Sequence, residues 1–192
     1  MSKRIGIYIY EGAEVLDFAG PFEVFSTAAR LHSLGWEVLL IAQSREAVEA
    51  RGGMRVVPHS TLVNCPRLDV LLVVGGVHRD EMQKPAVLEG IRRLASGSTQ
   101  LASVCTGIFI LASAALVERG PVTTHWEDID DLRTQFPALQ VVDTQRWVVS
   151  EEVVSSAGIS AGIDMALELV SRWLGLPAAE HTARQMDYHW RH

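Results

Sequence analysis

Cys105 stands in Ser103-Val104-Cys105-Thr106-Gly107, where an apolar β-branched run gives way to an apolar helical pattern. A residue at such a junction occupies a tight strand-to-helix turn, its side chain thrust out over the start of a helix. Unpaired backbone N–H groups and the helix dipole favour an anion there. The thiol is therefore expected to ionise below its ordinary value of about 8.5. The same N–H groups could hold negative charge that develops in a transition state. The arrangement has the geometry of a nucleophile elbow, although the glycine-flanked serine motif is missing. A buried, inert cysteine is the competing reading and the commoner fate of a free thiol.

Ligands of open parallel sheets bind beyond the carboxyl ends of the strands, and three further features fall there. Gly75-Gly76 closes the apolar run that precedes the Cys105 strand. Glycines let backbone N–H groups approach a ligand closely and could complete an oxyanion hole with the Thr106 N–H. A plain turn would use two glycines equally well. Asp17 lies between Leu16 and Phe18, in a loop expected after the first strand. Partial burial would raise its pKa and let it carry a proton. The local sequence alone favours a turn or capping role ahead of Gly20-Pro21. Glu14 and Glu23 read as solvated or salt-bridging. His125, in Thr123-Thr124-His125-Trp126, could reach Cys105 as a base or hydrogen-bond partner, or sit partly buried beside Trp126. His125-Trp126-Glu127 also has the His-x-Glu spacing of amidotransferase triads, but it follows the cysteine too closely for that arrangement and reads as chance. His181, His189 and His192 read as surface residues. With no Gly-x-Gly-x-x-Gly or Walker pattern, no nucleotide cofactor is expected. With no His-Glu-x-x-His and no Cys-x-x-Cys, no metal is expected either.

The elements that would position these groups alternate between strand and helix. Strands are predicted over Ile5–Tyr10, Glu37–Ala42, Asp69–Val74, Gln100–Val104 and Val122–Thr124, with a short strand or hairpin arm at Met54–Pro58. Val141–Val149 and Val153–Ser156 read as an antiparallel pair. Helices are predicted over Pro21–Leu34, with Pro21 in the first turn, and over Pro85–Ser96, Thr106–Val117, Glu127–Phe136, Gly162–Leu174 and Ala178–Tyr188. The apolar run at Asp69–Val74 fits a strand buried on both faces. The alternation implies an α/β sandwich, a mostly parallel sheet covered by helices on both faces.

Composition narrows the function classes. At 192 residues a single domain, 1–192, is expected. Apolar residues make up 48% and charged residues 21%, the balance of a folded globular chain. Lys plus Arg is 17 against 23 Asp plus Glu, a net charge of −6, which argues against a nucleic-acid partner. No apolar run approaches the roughly 18 residues of a membrane span, and the start lacks a secretory core, so no membrane partner is expected. Two cysteines, Cys65 and Cys105, cannot build a disulfide framework, and a reducing, cytoplasmic setting is the default.

Taken in order, Asp17-Phe18-Ala19-Gly20-Pro21, Gly75-Gly76, Val104-Cys105-Thr106-Gly107, Thr123-Thr124-His125-Trp126 and Ser155-Ser156-Ala157-Gly158-Ile159 resemble the ThiJ/PfpI superfamily, relatives of the class I glutamine amidotransferase domain. Ala161-Gly162-Ile163-Asp164 extends the likeness, which covers nearly the whole chain and is nearest to the isonitrile hydratases. The resemblance implies a flavodoxin-like three-layer sandwich, a homodimer, and a reactive cysteine at the elbow. It assigns catalysis to Cys105 and Asp17, with Thr106 lining the site, and raises Gly75, Gly76 and His125 as oxyanion or substrate contacts. The implied reaction adds water to a small organic isonitrile through a covalent thioimidate on the cysteine. A redox sensor without turnover and a hydrolase or glyoxalase-like activity on reactive carbonyls are the alternatives. Thr106 stands where PfpI-type peptidases carry His, which argues against a peptidase. Val74 stands where relatives often have Pro, so the loop over the site is expected to differ. Similar domains form the sensing half of AraC-type regulators, but the chain stops at His192 without a helix-turn-helix segment, so direct DNA binding is not expected.

Overall fold

The apolar run near residue 70 forms the strand Val70–Val73, every residue of which is buried. It lies at the middle of the sheet described by the computed structural model, which covers residues 2–191. The first half of the chain forms β1 (Ser2–Tyr8), α1 (Val15–Leu31), β2 (Gly35–Ala42), β3 (Val48–Glu49), β4 (Arg55–Val56), β5 (Ser60–Thr61), β6 (Val70–Val73), α2 (His78–Glu81) and α3 (Pro85–Ala95). The second half forms β7 (Gln100–Val104), α4 (Gly107–Ser113), β8 (Gly120–Val122), α5 (Ile129–Gln135), β9 (Leu139–Val141), β10 (Trp147–Val149), β11 (Val154–Ser156), α6 (Ala161–Leu174) and α7 (Leu176–Gln185).

The main sheet has seven strands in the order β10-β11-β7-β6-β1-β2-β5. All neighbours pair in parallel except β10 with β11. Helices α1, α6 and α7 pack together, while α2 and α3 pack on α4, which lies against β6 and β7. This is the expected three-layer α/β sandwich. Because β1, β6, β7 and β11 run the same way, the segments that follow them emerge at one end of the sheet. Those segments carry Asp17, Gly75-Gly76, Cys105 and Ile159. Fixed register does this: Tyr8 lies beside Val73, Val73 beside Ser103, and Val104 beside Ser156.

Several expected boundaries differ. Helix α1 begins at Val15, so Asp17 lies in its first turn and Pro21 is inside the helix. Pro21 has no N–H for the Asp17 carbonyl, yet the helix continues because this stretch packs tightly on α6. A Cβ on Gly20 would lie 2.7 Å from Ile163. Helix α4 stops at Ser113 rather than Val117, and Ala115 follows at φ 53°, a left-handed conformation that no helix can continue through. The expected strand over Val141–Val149 is split: Val141 ends β9, which pairs with β8, and only Trp147–Val149 joins β11. The polar residues between them turn away, with Asp143 accepting from Arg133 at 2.9 Å. The hairpin arm expected near Met54 is β4, paired antiparallel with β3.

Candidate functional site

Cys105 directly follows β7 and takes φ 56°, a region that side-chain-bearing residues seldom adopt. Two bonds hold the turn: the Cys105 N–H donates to the Ser156 carbonyl at 3.1 Å, and the Thr124 hydroxyl donates to the Cys105 carbonyl at 2.9 Å. The sulfur side is nearly closed, 6% exposed, but it faces a cavity of about 270 Å³. Gly76, Thr106, His125 and Ile159 share that cavity, whose rim carries Glu14 and Arg51.

Asp17 reaches the same place from α1. It is fully buried, and its Oδ2 accepts the Gly75 N–H at 2.9 Å. Its Oδ1 has no partner in full hydrogen-bond geometry, although the Ile159 N–H and the Cys105 thiol lie close enough to favour the ionised form. Burial outweighs these donors, and the Asp17 carboxyl is pushed up to about 7. The expected burial and upward shift of Asp17 are thus present, on a helix rather than in a loop.

The two glycines do something other than line an oxyanion hole. The Gly75 N–H is committed to Asp17, and the Gly76 N–H donates to Thr106 Oγ1 at 3.1 Å. Both backbone donors therefore orient site side chains. Glycine is required here: a Cβ on Gly75 would come within 2.5 Å of the Thr106 nitrogen, and Gly76 sits at φ 134° against the Gly12 carbonyl.

The expectation of a lowered thiol pKa is overturned. Burial pushes the Cys105 thiol up, the Asp17 charge pushes it further, and the Thr106 N–H and hydroxyl only partly offset them. Cys105 and Asp17 are therefore a coupled pair. The Asp17 carboxyl keeps its proton to about 7, and above that the thiol beside the Asp17 charge still keeps its own. A thiolate beside a neutral acid would form by passing that remaining proton from sulfur to Asp17.

His125 is in the cavity wall, its side chain 20% exposed and its Nε2 3.5 Å from Glu127 Oε2. The His-x-Glu spacing set aside on sequence grounds thus forms a pair at the rim. Its ring also tilts against Trp126, with centroids 5.8 Å apart. A wider cavity of about 750 Å³ shares His125 and Ile159 with the first and has Trp126 on its wall. Sequence reading missed Ile159, held at φ 57° beside Asp17, and Arg51, which pairs with Glu14 at 3.3 Å. It also missed Tyr10, buried behind Thr106. Ile159 left a signal as the end of the Ser155-to-Ile159 stretch, and Tyr10 left one in its spacing of two from Tyr8, the last residue of β1.

His181 and His189 are exposed as expected, while His192 lies outside the described residues. Among the described residues, no group of three His, Cys, Asp or Glu is placed to hold a metal ion. No helix there is long and apolar enough to cross a membrane.

Known proteins resemble this chain. The chain is 31% identical to an isonitrile hydratase of Pseudomonas putida over 189 residues, 98% of this chain and 79% of that protein. It is 28% identical to the HTH-type transcriptional regulator CdhR of Pseudomonas aeruginosa, covering 96% of this chain but 55% of the regulator. A crystal structure of a ThiJ/PfpI family protein from Pseudomonas syringae superposes with a TM-score of 0.89 at 26% identity, over 100% of this chain and 77% of that one. Drosophila melanogaster DJ-1beta shares the fold, with a TM-score of 0.84 at 20% identity over 99% of this chain and 100% of that one. The model of the DJ-1/PfpI family matches residues 3–172, and the chain belongs to that family.

Proposed function

We propose that the protein adds water to a small organic isonitrile, R–N≡C, and releases the N-substituted formamide. The observation that carries this reading is the buried acid beside the cysteine: Asp17, pushed up to about 7, would take a proton from sulfur and give one to a substrate atom. The 31% identity to an isonitrile hydratase supports the same choice.

In the first step the Asp17 carboxylate accepts the thiol proton as the Cys105 sulfur bonds to the terminal carbon. That carbon then takes the proton back from Asp17, giving the thioimidate Cys–S–CH=N–R. In the second step Asp17 removes a proton from water as its oxygen adds to the same carbon, and the nitrogen receives that proton. The C–S bond breaks, the hydroxyl proton returns to the Cys105–Asp17 pair, and HC(=O)–NH–R leaves. Two modest barriers replace one high one. The Gly75 N–H holds Asp17 in place through both steps, and Thr106 steadies charge on sulfur. The cavity of about 270 Å³ takes the reacting group, and the wider cavity beyond His125 and Ile159 gives R room.

The test is formamide formation by the purified protein from a short alkyl isonitrile, followed by mass spectrometry. Turnover is expected in the wild type and is expected to vanish in Cys105→Ala. A wild-type protein that binds isonitriles or is oxidised at Cys105 without releasing formamide would overturn the reading in favour of a sensor.

A further inference from the structure

His78 opens α2 and stands in the wall of the cavity that holds Cys105, yet the chemistry above gives it no task. The residue is 6% exposed. Its ring lies against Phe109 of α4, with centroids 4.6 Å apart, and its Nδ1 is 3.4 Å from the Gly76 carbonyl. A carbonyl only accepts, so the proton of the neutral ring sits on Nδ1 and leaves a lone pair on Nε2. Burial lowers the His78 pKa, against smaller opposing effects of the Gly76 carbonyl and Asp128, and the ring is neutral at neutral pH. Nε2 bonds to no group among the described residues, and it is not one of the atoms sealed off without a partner. It is therefore an acceptor open to the cavity, on a ring whose face and other nitrogen are already fixed.

A nearly buried acceptor of this kind takes its donor from whatever occupies the cavity. Other polar groups of the wall are engaged. Thr106 Oγ1 is held by the N–H and the carbonyl of Gly76, and Arg51 pairs with Glu14. The His125 ring packs against Gly158, leaving no room there for a Cβ, and turns its Nε2 to Glu127.

Discharging an adduct on Cys105 requires a water aimed at the carbon on sulfur. In the scheme above Asp17 takes one proton of that water, and nothing holds the other. We propose that His78 Nε2 accepts the second O–H of the hydrolytic water and so turns a lone pair of its oxygen toward the carbon. No proton passes to His78. The O–C bond forms as Asp17 takes the first proton, and the second stays on oxygen until the C–S bond breaks. Holding the water at both ends removes orientational freedom before the bond forms. The role belongs to the hydrolytic step alone, because attack by sulfur uses no water.

The inference rests on Cys105 being the reacting atom of the proposed function, but not on the isonitrile, so its test uses a different electrophile. The sulfur attacks p-nitrophenyl acetate, p-nitrophenolate leaves, and water then releases acetate from the thioester. Mass spectrometry of the Cys105 peptide follows both steps. His78→Phe keeps a ring against Phe109 and removes the acceptor. It is expected to acetylate Cys105 at the wild-type rate and to lose the acetyl group to water about tenfold more slowly. Added hydroxylamine brings its own nucleophile and should discharge both proteins alike, which a merely distorted site would not allow. His78→Gln restores an acceptor and should recover most of the hydrolytic rate. Hydrolysis at the wild-type rate in His78→Phe, equal slowing of both steps, or a wild-type Cys105 that is never acetylated or never discharged by water would overturn the assignment. Absence of formamide from isonitriles, with the two acetyl steps separated as expected, would count against the hydratase reading alone.

Discussion

Asp164 and Asp17 are both withdrawn completely from solvent, on helices α6 and α1, which pack against each other. Their neighbours differ. Asp164 accepts from Arg146 Nε at 2.6 Å, from the Tyr188 hydroxyl at 3.0 Å and from the Arg191 N–H at 3.3 Å. A cation and two further donors replace the water that it lost, and it pins the end of the chain to α6. Asp17 has one well-formed bond, from the Gly75 N–H, and its near neighbours are a thiol and the carboxylate of Glu14. No cation offsets its burial, so it keeps a proton to about 7. Burial alone therefore does not mark a reactive carboxylate. A guanidinium and two further donors satisfy Asp164, while Asp17, beside a thiol, holds its proton, which suits it to the acid and base work proposed above.

Neutralising each carboxylate should then act in opposite directions. Asp17→Asn keeps an acceptor for the Gly75 N–H but removes the proton carrier, and formamide release should fall by at least about a hundredfold. Asp164→Asn leaves Arg146 without its partner and should lower stability by on the order of 3 kcal/mol, read by denaturant unfolding, with little change in turnover per folded molecule.

The stability of Asp17→Asn sharpens the contrast. The carboxyl titrates near its ordinary 3.8 when unfolded and at about 7 when folded. Between those values the folded state holds a proton that the unfolded state has released. Stability therefore falls as pH rises through this window and levels off above it. Asp17→Asn escapes that fall. It should match the wild type near the acid end and exceed it above neutral pH by on the order of 4 kcal/mol. A wild-type stability that rose between these pH values would contradict the burial account.

The same physics explains what could be read from the sequence. The buried strand at Val70–Val73 was legible because five apolar residues, Val70 to Val74, ending in Gly-Gly fit little else. The Cys105 turn was legible because a strand pattern changes to a helical one across it. Asp17 was legible as a carboxylate with apolar neighbours but not as a helical residue. Pro21 mimics a first-turn proline, and only packing of α1 on α6 shows the helix beginning earlier. The sign of the Cys105 shift was not legible. It depends on Asp17, 88 positions away in sequence, and on how completely the fold excludes water. The roles of the Gly75 and Gly76 N–H groups were hidden for the same reason, since each serves a side chain from a distant segment.

The rim offers the smallest effect. His125 and Glu127 pair at 3.5 Å, with Glu127 64% exposed, in a setting where an ion pair contributes little. His125→Ala is expected to change isonitrile turnover by less than about fivefold. A loss as large as that of Asp17→Asn would move the chemistry to the rim and favour an activity on reactive carbonyls.

The proposed transfer of the Cys105 proton to Asp17 is tested most directly by the pH dependence of Cys105 alkylation. In the wild type the rate should rise with a midpoint of about 7 and then level off, as the doubly protonated pair gives way to the singly protonated one. In Asp17→Asn that rise should disappear, leaving only a rise at the higher pH of a buried thiol on its own. Superimposable profiles for the two proteins would contradict the account.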